Sequence, residues 1–443
     1  MRTQVQVNKL LTTPIPHCDV HRKVAWRILP FLFIAYVLCN IDRSNVAIAH
    51  LEFSTEIGLS AAQYGLGASL FFIGYIFFEV PSNMMLERFG ARFTLTRIMV
   101  LWGLVTAGFM FIHSPMTFYI GRILLGIAEA GFLPGMILYL SYWFPASRRA
   151  RITSLFTLGI PVAGMIGSPL SSFLMLYFDD WHGLSGWKWM FLIEGGITVA
   201  LGLLTLFILE DKPTTSRKLN TQEKAIIQQS LEAPGEAGSS SDKSREKSKG
   251  FWAALLSPMI LSLGFVYFSI VMSMVVLNYW APSFIKESTG AGTQYIGALS
   301  ALLYCAGALG MVILGYLSDR FMLRHRFVAA ALMGAAICYG LIAMQIFSTP
   351  VSSFVLLSAA AFFTYGSMPV FWSIPSSVLG KASAAIGIAA ISALANIAGM
   401  IGPVVIGWSK SLTGHFSGGV VLLAVFLVLG ALVISLTAKY HRG

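Results

Sequence analysis

Polar and apolar positions along this chain do not alternate at the period of a soluble helix or strand. Long apolar runs are separated by short polar joins. Met333 to Val351 is uncharged, and Leu95 to Ile112 carries only Arg97, close to its start. Runs near or above about 18 apolar residues are read as membrane-spanning helices. A large apolar soluble enzyme would instead show amphipathic helices with a charged outer face. The pattern predicts about twelve spans, at 26–48, 61–85, 94–112, 117–140, 152–177, 189–209, 255–280, 295–317, 327–347, 352–379, 383–408 and 417–437.

The longest polar stretch runs from Glu210 to Gly250 and includes Ser239-Ser240-Ser241, with an amphipathic piece at Thr221 to Leu231. Its composition is that of a linker with one surface helix. The chain therefore divides into a tail (1–25), a six-helix bundle (26–209), a linker (210–250), a second six-helix bundle (251–437) and a short tail (438–443). Glu87-Arg88-Phe89 with Arg92 follows the second span, and Asp319-Arg320-Phe321 with Arg324 follows the eighth. This echo at equivalent places indicates a two-fold repeat, and in secondary transporters such repeats hold the substrate site between them near the bilayer midplane. The expected fold class is thus an all-α integral membrane protein with twelve transmembrane helices in two pseudo-symmetric six-helix bundles.

Composition agrees, with 56% hydrophobic and only 11% charged residues. A net charge of +11 would fit nucleic acid, but its distribution excludes that partner. Apart from Lys188, Lys286, Lys410, Arg43 and Arg122, the basic residues fall in the tails, in alternate loops or at the adjoining span ends. That is the positive-inside pattern, with both termini cytoplasmic. Cys18, Cys39, Cys305 and Cys338 are scattered, without the spacing of a metal or disulfide framework. A cleaved leader ending near Ala47-Ile48-Ala49 is disfavoured because Asp42, Arg43 and Asn45 interrupt the apolar segment before it. No phosphate-binding loop or nucleophile–histidine–acid set is present, and His17, His21 and His50 lack metal spacing. Enzyme chemistry and ATP-driven transport are unsupported, and no cofactor beyond a coupling proton is expected.

Charged side chains inside a bilayer are costly and face a cavity or one another. The first half places Asp42, Arg43, Arg122 and Glu129 well inside spans, with Glu79 and Glu194 nearer the ends. The predicted spans of the second half contain no Asp, Glu, Lys or Arg. Arg122 and Glu129 are seven apart, nearly on one helical face and about 10 Å apart along the axis. That separation suits two stations on a pathway. A guanidinium stays charged and grips carboxylates with two parallel hydrogen bonds. A desolvated carboxyl is suited to binding a proton. Glu129 has no basic residue in its adjacent turn, and the main partner of Asp42 is expected on another helix.

Several strings resemble the major facilitator superfamily, and within it the anion:cation symporter family of bacterial organic-acid permeases. They are Ile41-Asp42-Arg43-Ser44-Asn45, Pro81-Ser82-Asn83, Gly121-Arg122, Gly126-Ile127-Ala128-Glu129-Ala130-Gly131-Phe132 with Pro134-Gly135, Trp143-Phe144-Pro145, Gly186-Trp187, and Phe191-Leu192-Ile193-Glu194-Gly195. The resemblance covers Trp26 to about Leu436 outside the linker. Permeases for hydroxyphenylacetate, rhamnonate, tartrate and phthalate are the nearest in kind.

The residues and the resemblance agree on roles. Arg43 and Arg122 are expected to hold a substrate carboxylate, with Asp42 and Glu129 binding protons. Tyr75 matches a substrate-contacting tyrosine of the family. From the uncharged half, Trp372, Asn396 and Asn278 (beside Tyr279) are the candidate cavity residues. Glu87, Arg88, Arg92, Asp319, Arg320 and Arg324 are expected to clasp the halves at a cytoplasmic gate, although Glu87 replaces the superfamily's usual aspartate. Gly159, Gly164, Gly167 and Pro169 in the fifth span resemble the family's glycine–proline motif, and Gly399, Gly402 and Pro403 punctuate the eleventh. The resemblance implies a monomer in the bacterial inner membrane that takes up a small organic acid anion with protons by alternating access. An anion exchanger or uniporter of the same fold, a non-transporting ligand sensor and a membrane enzyme are the competing readings. The sequence leaves aromatic acids, sugar acids and dicarboxylates open as substrates.

Overall fold

Apolar composition selects helices here because lipid offers no hydrogen-bond partner, so each backbone amide must be satisfied within its own segment. The computed structural model describes residues 17–231, 257–346, 349–375 and 384–440. The tail before residue 17, residues 232–256 of the linker, and the last three residues lie outside the described residues, as does the side chain of Glu87. Among the described residues, twelve helices are long and apolar enough to cross a membrane. They are Val20–Glu56, Ala61–Leu86, Ala91–Phe111, Pro115–Trp143, Leu155–Tyr177, Gly186–Ile208, Pro258–Thr289, Thr293–Phe321, Arg324–Ala343, Pro350–Trp372, Gly387–Thr413 and Ser417–Thr437. Several outrun the expected bounds, so Lys286, Asp319, Arg320 and Lys410 now sit at the ends of spans in the second half, whose middles stay uncharged.

Local chemistry sets where spans begin and bend. Ser60 opens the second span by accepting from the Gln63 N–H at 3.2 Å, while the Gln63 side chain accepts from the Ser60 N–H at 2.9 Å. Ser114 and Thr117 build the same box before the fourth, with Pro115 in its first turn. The fourth span is two helices, Pro115–Glu129 and Phe132–Trp143. Between them Ala130 leaves the helical region and Gly131 adopts φ +84°. A Cβ at Gly131 would also meet Ser82 at 2.7 Å, so both conformation and space call for glycine. The break puts Glu129 at the end of a helix, in the middle of the bundle.

The two halves pack alike. Span 1 packs on span 5, 2 on 4 and 3 on 6; correspondingly span 7 packs on 11, 8 on 10 and 9 on 12. Between the halves, span 5 packs on span 8 and span 2 on span 11. Both described chain ends lie at one face, the terminal face, because an even number of crossings returns the chain to its starting side.

The inter-half seam is tight towards the opposite, far face. There the Ala62 N–H donates to Ser411 Oγ at 2.9 Å, Lys286 donates to the Leu51 carbonyl at 3.2 Å, and Thr293 donates to Glu52 at 3.1 Å. Gly65 lies so close to the eleventh span that a Cβ would meet the Pro403 carbonyl oxygen at 2.3 Å. At the terminal face, a surface helix over Thr221–Leu231 docks on the first half, where Lys23 pairs with Glu223 at 2.7 Å.

Candidate functional site

Asp42 and Arg43 are neighbours in sequence and point to different places. Arg43 reaches from the first span to Glu129 of the fourth and forms an ion pair through Nε. The Cys39 thiol, one turn earlier, donates to the same Glu129 oxygen at 2.9 Å. The cation missing from the turn around Glu129 is therefore supplied by another helix. Glu129 is fully buried and its Oε2 has no hydrogen-bond partner. The Arg43 side chain is 27% exposed, which makes it the most accessible of the four charges.

Arg122 is fully buried and pairs with no acid among the described residues. Its Nε donates to the Gly67 carbonyl at 3.3 Å, and its Nη2 donates to the Ala68 carbonyl at 3.3 Å and to the Tyr279 hydroxyl at 2.8 Å. Its Nη1 has no partner. Tyr64 donates to the Tyr279 carbonyl at 3.0 Å, so two residues of the first half hold Tyr279 of the second. In this conformation Arg122 faces no open space. It closes the seam on the far side of the site.

Phe71 connects the two arginines. The Arg43 guanidinium lies 5.2 Å from its ring centre and that of Arg122 5.1 Å. Arg43 also covers Tyr75 at 5.1 Å, and Arg122 covers Tyr279 at 5.3 Å. Electron-rich ring faces attract the two cations. Tyr75, half-buried, thus lies beside Arg43. Phe71 and the cation-binding face of Tyr279 were missed, because one aromatic among 57 carries no signal until the fold places a cation over it.

Asp42 points away from this group, into the first bundle. Trp102 Nε1 of the third span donates to its Oδ2 at 2.6 Å, and the Thr198 hydroxyl of the sixth at 2.8 Å. Its partners do come from other helices, and both are neutral.

The second half contributes an uncharged wall. Tyr36 of the first span lies within electrostatic reach of Arg43 and of Tyr267 in the seventh span. Trp372 hydrogen-bonds Tyr267, with the rings 4.8 Å apart at 67°. Asn396 is half-buried and has no hydrogen-bond partner among the described residues. Asn278 lies beside the Tyr304 hydroxyl, and that ring packs against Gly164 of the fifth span, which places Asn278 next to the seam. A separate cleft of about 270 Å³ opens at the far face beside Phe284, Gln345 and His415 and holds none of these residues.

The loop residues each stay in their own half. Arg88 covers Phe89, the Arg92 N–H donates to Asp211 at 2.9 Å, Arg320 covers Phe321 and Arg324 donates to the Ser373 carbonyl at 3.0 Å. Among the described residues, none of these, nor Asp319, bridges the halves. The seam is closed at the far face and unclasped at these terminal-face loops.

Residues 32–403 match the Major Facilitator Superfamily. The chain belongs to that family. It is 39% identical over 422 residues to the putative metabolite transport protein NicT of Pseudomonas putida, covering 95% of each. It is 38% identical over 431 residues to a putative tartrate transporter of Agrobacterium vitis, covering 96% of each. Among solved structures, a bacterial homolog of the human lysosomal transporter Spinster, in an inward-facing and unoccupied conformation, has a TM-score of 0.77. That match, at 18% identity over 95% of this chain and 97% of the other, concerns the fold alone. This superfamily member falls with the bacterial organic-acid permeases and is a multi-pass membrane transporter, not an enzyme.

Proposed function

We propose that the chain is a proton-coupled symporter that takes up a small organic acid anion by alternating access. One observation carries this reading: the most accessible cation of the site, Arg43, has Glu129 as its partner. A guanidinium paired with a buried carboxylate is not free for a second one. A proton on Glu129, whose Oε2 is unpartnered, neutralises that carboxylate and releases Arg43 to grip a substrate carboxylate. Proton and anion then enter together, because either alone leaves an unbalanced charge in a low-dielectric site. Tyr75, Trp372 and Asn396 surround the substrate, with Arg122 exposed to it when the far seam opens. The name of the tartrate-transporting relative supports hydroxylated carboxylic acids as the substrate class. The basic loops at the terminal face support an inner-membrane orientation with both termini cytoplasmic, in which this conformation is open inwards. Protons are the only coupling agent, and a monomer suffices.

The test is uptake of tartrate and related hydroxy acids into proteoliposomes under an imposed pH gradient. Accumulation that follows the gradient is expected. Uptake or counterflow indifferent to pH would instead fit an exchanger or uniporter and would sink the coupling claim.

A further inference from the structure

Besides Asp42, the first bundle buries a second acid that the site does not use. Glu194 of the sixth span is 3% exposed. The Ser171 hydroxyl donates to its Oε1 at 2.7 Å, and Asn45 Nδ2 donates to its Oε2 at 2.8 Å. No Lys or Arg lies within ion-pair distance of it among the described residues. We propose that Glu194 is a proton-binding residue that acts with Asp42, so that the first bundle holds two exchangeable protons apart from the Arg43–Glu129 pair.

The geometry is a two-rung ladder between the first and sixth spans. Asp42 and Asn45 are three apart on one helix, and Thr198 and Glu194 are four apart on the other. Each pair therefore shares a face one turn apart. One rung is Thr198 to Asp42 and the other is Asn45 to Glu194. The Glu194 rung lies one turn, about 5–6 Å, nearer the far face.

The helices packed against Glu194 bring it no countercharge among the described residues. The first span offers Asp42, whose carboxyl feels the Glu194 charge, while its Arg43 is committed to Glu129. The fifth span, Gly159–Tyr177, has no Asp, Glu, Lys, Arg or His, and presents Ser171. The third span presents Trp102, with its Arg92 and Arg97 near the terminal end. On its own span, Lys188 pairs with Glu56 at 2.7 Å at the far face. Two carboxylates with only neutral donors would leave two like charges unbalanced in the bundle, and at least one proton removes that cost.

Asn45 is suited to both protonation states. It is 1% exposed, and its Oδ1 has no hydrogen-bond partner. Towards an ionised Glu194 the amide donates through Nδ2. Towards a protonated Glu194 the amide turns over, and Oδ1 accepts the new O–H. Ser171 adjoins Ser172, which a Cβ on Gly297 of the eighth span would meet, so protonation here reaches the inter-half seam through one residue.

A role in transport rests on the proton-coupled reading above; proton binding is tested without substrate. Infrared pH-difference spectra of the purified full chain in detergent report protonated carboxyls by their C=O stretch. Glu194→Gln should lose one titrating carboxyl band, and Asp42→Asn should shift the remaining one. Asn45→Ala, which keeps the acid and removes its partner, should shift the Glu194 band. A Glu194→Gln spectrum matching the parent, or an Asn45→Ala spectrum without a shift, would overturn the proposal. Loss of gradient-driven uptake in a parent whose Glu194 band still titrates would overturn the symport reading and leave this one standing.

Discussion

At the level of single residues, the site is organised by which charge is paired and which is left over. Glu129→Gln mimics a permanently protonated partner and leaves Arg43 free. Substrate binding should survive and become insensitive to pH, while accumulation against a gradient is lost; flux and equilibrium binding measured side by side separate the two. Arg43→Lys keeps the charge but not the fork. A charge-assisted hydrogen bond is worth about 1.5–3 kcal/mol, so roughly 10- to 100-fold weaker binding is expected, read by thermal shift or scintillation proximity. The chemistry of these residues was legible in the sequence, since charge in an apolar run is conspicuous. Their pairing was not. Asp42 and Arg43 diverge by about 100° on one helix, so which faces Glu129 and which faces Trp102 is decided by tertiary packing. Arg122 is the sharper lesson. Helical spacing put it in line with Glu129 as a separate station, and the fold adds that it is buried under Phe71 and Tyr279, paired with no acid among the described residues.

Among the elements, spans were legible from length and apolarity, but the break in the fourth was not. Its sequence from Gly126 to Gly135 is apolar apart from Glu129 and reads as one span, and the non-helical Ala130 with the +84° φ at Gly131 shows where the helix stops. Gly131→Ala should therefore lower thermal stability. The left-handed conformation costs a residue with a Cβ about 1–2 kcal/mol, and the contact with Ser82 adds to this. A control at Gly196, where a Cβ meets nothing within 4 Å, should be neutral. The surface helix at Thr221–Leu231 matches the amphipathic piece read from the sequence, and it docks through the buried Ile227 together with an ion pair at Glu223. Burial alone would raise the Glu223 carboxyl, but Lys23 and the Asn220 N–H hold it below the usual carboxylate range. A lowered folded pKa stabilises docking above the ordinary carboxylate pKa, about 4.3, and that contribution is lost as pH falls through the folded value. Lys23 is 57% exposed, so the contribution stays below about 1 kcal/mol. Limited proteolysis within the linker should accelerate on acidification, and Lys23→Met should give the same acceleration at neutral pH.

For the whole molecule, the asymmetry between its two faces is the property that single residues cannot express. The repeat read from Glu87-Arg88-Phe89 and Asp319-Arg320-Phe321 was enough to place two bundles, because it recurs at the same point of each. It said nothing of which face is shut, since the same sequence must close either. The far-face seam is held by small residues and a few hydrogen bonds that each involve a side chain, and transport by alternating access requires it to part. Ala62 and Ser411 touch across that seam through a 2.9 Å hydrogen bond, and they lie away from Arg43, Glu129 and Tyr75. A disulfide between Ala62→Cys and Ser411→Cys should stop uptake completely while leaving substrate binding from the terminal face intact, and reductant should restore flux. Each single cysteine variant should transport as the parent does. If oxidised double-mutant protein still carries substrate across the bilayer, the seam does not open during transport, and this end of the molecule is a fixed hinge instead of a gate. Tyr279→Phe should act in the opposite direction. It removes the Arg122 hydrogen bond while keeping the ring that the guanidinium covers, so far-face accessibility to a thiol reagent at a reporter cysteine should rise without loss of folded protein. The two variants together locate the gate: one locks it shut, and the other loosens the bond by which Arg122 holds it closed.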